Sequence, residues 1–198
     1  LGRLDYRGYF SKAGANKYAT VLRKKGYDVH VGGVEAYSTL GWFKDPILNT
    51  FIFNPDADLA EIIFHELGHQ RVFARGDTDF NEAFATTVGQ EGARRWLQKQ
   101  NDEAALEKYA AERRRTTDFV HLIARTRERL EKLYGDQRNA EGKLKASKKP
   151  IADIEDLRRG KAAVYAQLQT EYQALKESWG GNKEYDEWFA REVNNAKL

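Results

Sequence analysis

The chain has 198 residues, of which 41% are hydrophobic and 32% charged, and its 33 basic and 30 acidic side chains leave a net charge of only +3. That composition suits a folded chain with a real core and excludes a disordered polyelectrolyte. Acids are interleaved among the bases, so nothing points to a nucleic-acid partner, and the absence of cysteine excludes disulfides and thiolate metal sites.

No apolar run approaches 18 residues, so no transmembrane helix is expected. The opening LGRLDYRGYF lacks the apolar stretch of a signal peptide. The chain has no methionine, which reads as a trimmed or redesigned sequence.

Residues 11–25 are predicted to form the first helix, with Ser11 as N-cap, Tyr18, Val21 and Leu22 as its apolar stripe and Gly26 as its stop. Residues 27–34 alternate in the manner of a strand, residues 36–43 continue as a second extended piece, and residues 49–53 form a third short strand before Asn54-Pro55. A helix capped by Asp56 or Asp58 then runs to about Arg75, and Gly76 ends it. The next helix is capped by Asp79 and runs to about Gln100.

Residues 102–133 read as a long polar helix with Tyr109, Phe119, Ile123, Leu130 and Leu133 on one seam. Residues 154–179 carry a second seam of Leu157, Val164, Leu168, Tyr172, Leu175 and Trp179. These two are expected to pair as an antiparallel hairpin, followed by a last helix over residues 185–198.

The expected fold is therefore α+β and mostly helical. It has a core with a small N-terminal sheet, and the divisions expected are residues 1–101 (core), 102–179 (hairpin) and 180–198 (a C-terminal helix packing back on the core).

The chemistry sits in AEIIFHELGHQRVF, residues 60–73, which contains HExxH at His65, Glu66 and His69. Residues four apart on a helix lie about 40° apart on adjacent turns, so both imidazoles can hold one ion. Glu66 is rotated aside, out of reach as an equivalent ligand but within reach of an activated water. The apolar neighbours Ile62, Ile63, Phe64 and Leu67 imply a buried helix, whose polar groups then need compensation that a metal supplies.

A hydrolytic zinc site needs a third protein ligand and one open position. The candidate is Glu82 in FNEAFATTVG, 13 residues past His69 on the returning helix, with Asn81 and Thr86 beside it as groups that can orient ligands. His30 and His121 have no helpful context as alternatives.

This arrangement resembles the gluzincin metallopeptidases and, more closely, a bacterial family of zinc aminopeptidases, and the resemblance implies a zincin-like core over residues 1–101. The matching segments are YRGYF at Tyr6, AYSTLGWFKDPILNT at Ala36, FHELGHQ at Phe64, GDTDFNEAFAT at Gly76, YDEWFA at Tyr185 and NNAKL at Asn194. The resemblance implies that His65, His69 and Glu82 bind zinc, that Glu66 is catalytic, that the substrate is a peptide, and that the setting is the bacterial cell envelope or periplasm.

Two further roles are expected. Tyr37, on an extended segment, is the first candidate for a donor to the developing oxyanion, and residues 34–39 can take up substrate backbone by strand addition. Glu35 follows Gly32-Gly33, and gluzincin aminopeptidases carry a similar Gly-rich segment with a Glu, so Glu35 is the candidate to hold the substrate α-amine; Asp77 and Asp79 compete with it. Asn194 and Asn195 are candidates for polar groups in the cleft or for helix-end caps. The rival readings are a zinc endopeptidase and a non-catalytic zinc scaffold or helical interaction module.

Overall fold

The computed structural model describes residues 5–33, 52–135 and 151–198, with the side chains of 151–154 excepted. Its helices are α1 (Lys12–Lys24), α2 (Asp56–Arg71), α3 (Thr78–Gln100), α4 (Glu103–Tyr134), α5 (Ile151–Ser178) and α6 (Asp186–Ala190). The chain divides into two compact units, one of Leu1–Val31 with Arg115–Leu198 and the other of Gly32–Arg114.

Among the described residues helix is the only regular secondary structure and there is no strand, which overturns the expected α+β core with its N-terminal sheet. Residues 27–33 are irregular and make no ladder. The physical reason is that side chains, not a neighbouring strand, take up their polar groups. The Val29 carbonyl accepts from Arg23 Nη2 at 3.2 Å and from Asn194 Nδ2 at 3.4 Å, while Asp28 Oδ2 accepts from Lys161 Nζ at 2.6 Å and from the Asn195 backbone at 3.2 Å. Ile52 and Phe53 lie in a turn. The expected strand at 36–43 and the first residues of that at 49–53 lie outside the described residues.

In the unit Gly32–Arg114, α2 and α3 are antiparallel and their backbones nearly touch. A Cβ added at Gly89 would meet the Glu61 carbonyl at 2.8 Å and His65 Cβ at 3.2 Å. One at Gly92 would meet the Phe64 ring at 2.6 Å, and one at Gly68 would meet Ala85 Cα at 3.2 Å. Small residues at 85, 89, 92 and 93 recur with helical spacing, so they share one face of α3 and seat α2 on it. Ala93, Leu97 and Tyr109 form the buried core below, with Ala57, Ala60, Trp96, Ala105 and Leu106 packed around it.

The turn between the two helices is built locally. Val72 is extended and its N–H closes on Gly68 O at 3.2 Å, so α2 ends at Arg71 and not at Arg75. Gly76 takes φ +84°, a conformation that strains any residue with a Cβ. Asp77, rather than Asp79, caps α3 by accepting from Phe80 N at 3.0 Å. Neither Asp56 nor Asp58 caps α2. They lie in its first turn, where carboxylates favour the positive end of the helix dipole.

In the other unit, α4 from Arg115 onward runs antiparallel to α5. Paired positions descend in order: Trp179 Nε1 donates to Asp118 at 3.0 Å, Arg129 meets Glu171 at 2.7 Å, and Leu133 packs on Gly160. The core here is Leu122, Leu168, Tyr172 and Phe189, with the Tyr172 and Phe189 rings stacked at 3.8 Å. Of the predicted seam, Leu130 is fully buried and Phe119 and Ile123 pack against this core, and Leu122, which the seam did not include, is fully buried beside them. Tyr109 leaves that seam altogether for the core of the other unit.

The C-terminal helix stops at Ala190, short of the expected residue 198. Beyond it Asn194 and Asn195 are held by Val29 and Asp28, and Asn195 Oδ1 accepts from Tyr165 OH at 2.6 Å. These tertiary bonds compete with continued helix and make the two asparagines fold-closing groups, and Asn194 also caps the turn that follows it, its Oδ1 accepting from Ala196 N at 3.1 Å and from Lys197 N at 3.2 Å.

Candidate metal centre

His65 and His69 lie on successive turns of α2, with ring centroids 4.8 Å apart and ring planes at 83°. Their Nε2 atoms are 3.1 Å apart. Glu82, in the second turn of α3, reaches back across the helix pair. Its Oε2 is 3.5 Å from His65 Nε2 and its Oε1 is 3.6 Å from His69 Nε2. The three side chains thus form a group able to hold a metal ion.

The spacing can be tested against coordination geometry. Four ligands at about 2.0–2.1 Å around a tetrahedral ion stand about 3.3 Å from one another. The separations of 3.1, 3.5 and 3.6 Å bracket that value. The side chains of His65 and His69 are 24% and 10% exposed, whereas that of Glu82 is 58% exposed. The imidazoles therefore form a protected floor, and the carboxylate side faces solvent. Two imidazoles and a carboxylate suit a divalent transition metal.

Close helix packing makes this convergence. Gly89 stands against His65 Cβ and Gly68 against the backbone of Ala85, so the ligand-bearing turns sit nearer than large side chains would permit. One turn before His65, Glu61 is held from α4. Tyr109 OH donates to its Oε2 at 2.5 Å, and Arg113 Nη1 to its Oε1 at 2.9 Å. Burial and the Glu61 carboxylate push the Tyr109 hydroxyl well above the usual tyrosine range, so it stays a donor. Neither this anchor nor the small-residue face is apparent in the motif itself. The recurrence of Gly and Ala at 85, 89, 92 and 93 was the signal for the second.

Glu66 follows His65 on α2 and is half-buried. Asn81 does not orient a ligand side chain directly: it bonds both backbone groups of Ala74. Thr86 is exposed. Asp77 is engaged as the α3 cap, which removes it as a free acid for a substrate amine. Tyr37, Glu35 and segment 34–39 lie outside the described residues.

Of the other histidines, His121 is exposed. Desolvation and the cationic Lys197, Arg191 and Arg23 hold the pKa of His30 below its ordinary value, surroundings unsuited to a divalent cation. A separate cleft bordered by Pro55, Trp96 and Tyr109 lies at the opposite end of the α2–α3 pair and includes none of these ligand residues. Among the described residues no helix is long and apolar enough to cross a membrane.

No curated protein and no solved structure matches this chain. The family described as Putative aminopeptidase matches residues 1–198, the whole of the sequence, and the chain belongs to that family.

Proposed function

We propose that this protein is a zinc-dependent aminopeptidase of the gluzincin type, with His65, His69 and Glu82 holding the ion and Glu66 as general base. The observation that carries the reading is the convergence of two imidazole nitrogens and a carboxylate at near-tetrahedral separations. Membership of a family named for aminopeptidase activity supports the reaction class.

Zinc bound there supplies a Lewis acid for the scissile carbonyl and lowers the pKa of water toward about 7. The remaining work falls to the chain. Glu66 stands one residue from His65, rotated by about 100° around α2, which separates it from the ligand face while keeping it beside the centre. Its carboxylate takes the proton of the attacking water and returns it to the leaving amine. The exposed flank of Glu82 leaves the entry side open. On sequence grounds Tyr37 donates to the developing oxyanion and Glu35 holds the substrate α-amine.

Two measurements test this. Zinc is expected to bind one equivalent per chain and to raise the melting temperature, because a ligand that binds only the folded state at 100 times its Kd adds about 2.7 kcal/mol. His65→Ala is expected to abolish that shift, and an unchanged shift would count against the ligand set. Activity is assayed on matched peptides with free and blocked N-termini. Cleavage of the free form alone identifies an aminopeptidase, equal cleavage of both an endopeptidase, and no cleavage by a zinc-loaded sample a scaffold.

Glu35→Gln is expected to raise KM for unblocked peptides and leave zinc content unchanged. Equal KM values for mutant and parent would remove Glu35 from the site.

A further inference from the structure

The Glu82 carboxylate is largely exposed, so packing does not hold it in place. Its position has to come from the backbone register at the start of α3, and each residue of slip there turns a side chain by about 100°. The Gly68–Ala85 contact sets how near the helices come. It leaves open what fixes the end of α3 that carries the ligand.

Asn81, immediately before Glu82, is 5% exposed. A buried side-chain amide needs both its donor and its acceptor satisfied. Asn81 meets both needs on one residue of the α2–α3 turn: its Oδ1 accepts from Ala74 N at 2.7 Å and its Nδ2 donates to Ala74 O at 2.9 Å. The Ala74 carbonyl also accepts from Asp77 N at 3.2 Å, and Asn81 N donates to Asp77 O at 3.1 Å. The turn and the first turn of α3 are thereby closed into one hydrogen-bonded block whose next residue is the ligand.

We propose that Asn81 is a positioning residue for the metal centre, acting through Glu82 by locking the turn to the start of α3. The inference rests on the metal reading above. Asparagine has the required chemistry. Aspartate lacks the donor and sets a carboxylate against the Ala74 carbonyl, serine cannot span both groups, and alanine makes neither bond.

The test titrates Co(II) into the metal-free full chain, following its visible d–d absorption, with zinc affinity obtained by chelator competition. The parent is expected to bind one Co(II) with the intense spectrum of a tetrahedral site. Asn81→Ala is expected to bind about 10–100-fold more weakly, the cost typical of losing a group that orients a ligand, with an altered spectrum. Asn81→Asp, of equal size, serves if the alanine variant does not fold, and the same loss is expected of it. Leu122→Ala, a core change in the other unit, is expected to lower stability while leaving affinity and spectrum at parent values.

In a Glu82→Ala background, Asn81→Ala is expected to add no further loss, because the two act through one ligand. Parent-like affinity and spectrum in the Asn81 variants, or an additive loss in the double variant, would overturn the proposal. A parent chain that binds no Co(II) overturns the metal reading itself, and this inference with it.

Discussion

Glu66→Gln is expected to lower kcat/KM for peptide hydrolysis by about 10²–10⁴-fold, the usual contribution of a general base, while zinc stays bound. Glutamine matches glutamate in size, and residue 66 is half-buried on a helix whose packing face is Gly68 against Ala85. The exchange therefore removes the proton acceptor without opening a cavity. The three converging donors belong to residues 65, 69 and 82, so metal content should hold. Single-turnover assays with metal analysis on the same sample check both halves. Parent-level turnover by the zinc-loaded variant would defeat the assignment of Glu66.

The second large effect is expected from a residue with no side chain. At Gly89 even a single Cβ would stand 2.8 Å from the Glu61 carbonyl and 3.2 Å from His65 Cβ. One of those neighbours is backbone and cannot swing away, so α2 and α3 must part. Gly89→Ala recovers up to about 1 kcal/mol of helix propensity, which offsets part of an overpacking cost of about 1–3 kcal/mol. Gly89→Val has a smaller offset, because β-branching lowers helix propensity relative to alanine, and its larger volume puts the expected cost at or beyond the upper end of that range.

The separations of 3.5 and 3.6 Å between Glu82 and the histidines depend on the same helix spacing. Zinc affinity should therefore fall together with stability in the valine variant. Chemical denaturation and metal competition measure the two losses. A valine variant with parent stability and affinity would show that close backbone contact is not what builds the site.

Structure is most legible in the order of residues where it is local. The pairing of His65 with His69 needs only the pitch of one helix, and the Ser11 cap of α1 needs only one turn, where Ser11 Oγ accepts from Gly14 N at 3.1 Å. Structure is not legible where a local pattern has two tertiary outcomes. Alternation over residues 27–33 looks like a strand, yet the Val29 and Asp28 groups are taken by Arg23, Lys161, Asn194 and Asn195. No periodicity in the segment carries that information. Similarly, Tyr109 and Phe119 fit one heptad seam, but Tyr109 is drawn to Glu61 and the Ala93–Leu97 core.

What the amino-acid order by itself determined is the helical identity of the HExxH segment, the common face of its two imidazoles and the acid beside them. These follow from helix pitch and residue type. The same order marked Glu82 as a candidate on the returning helix, but its meeting with that pair was decided by the tertiary structure. It depends on a face of Gly and Ala letting two backbones touch and on a buried amide fastening the turn between them, and both are contacts between residues that the helix period does not relate.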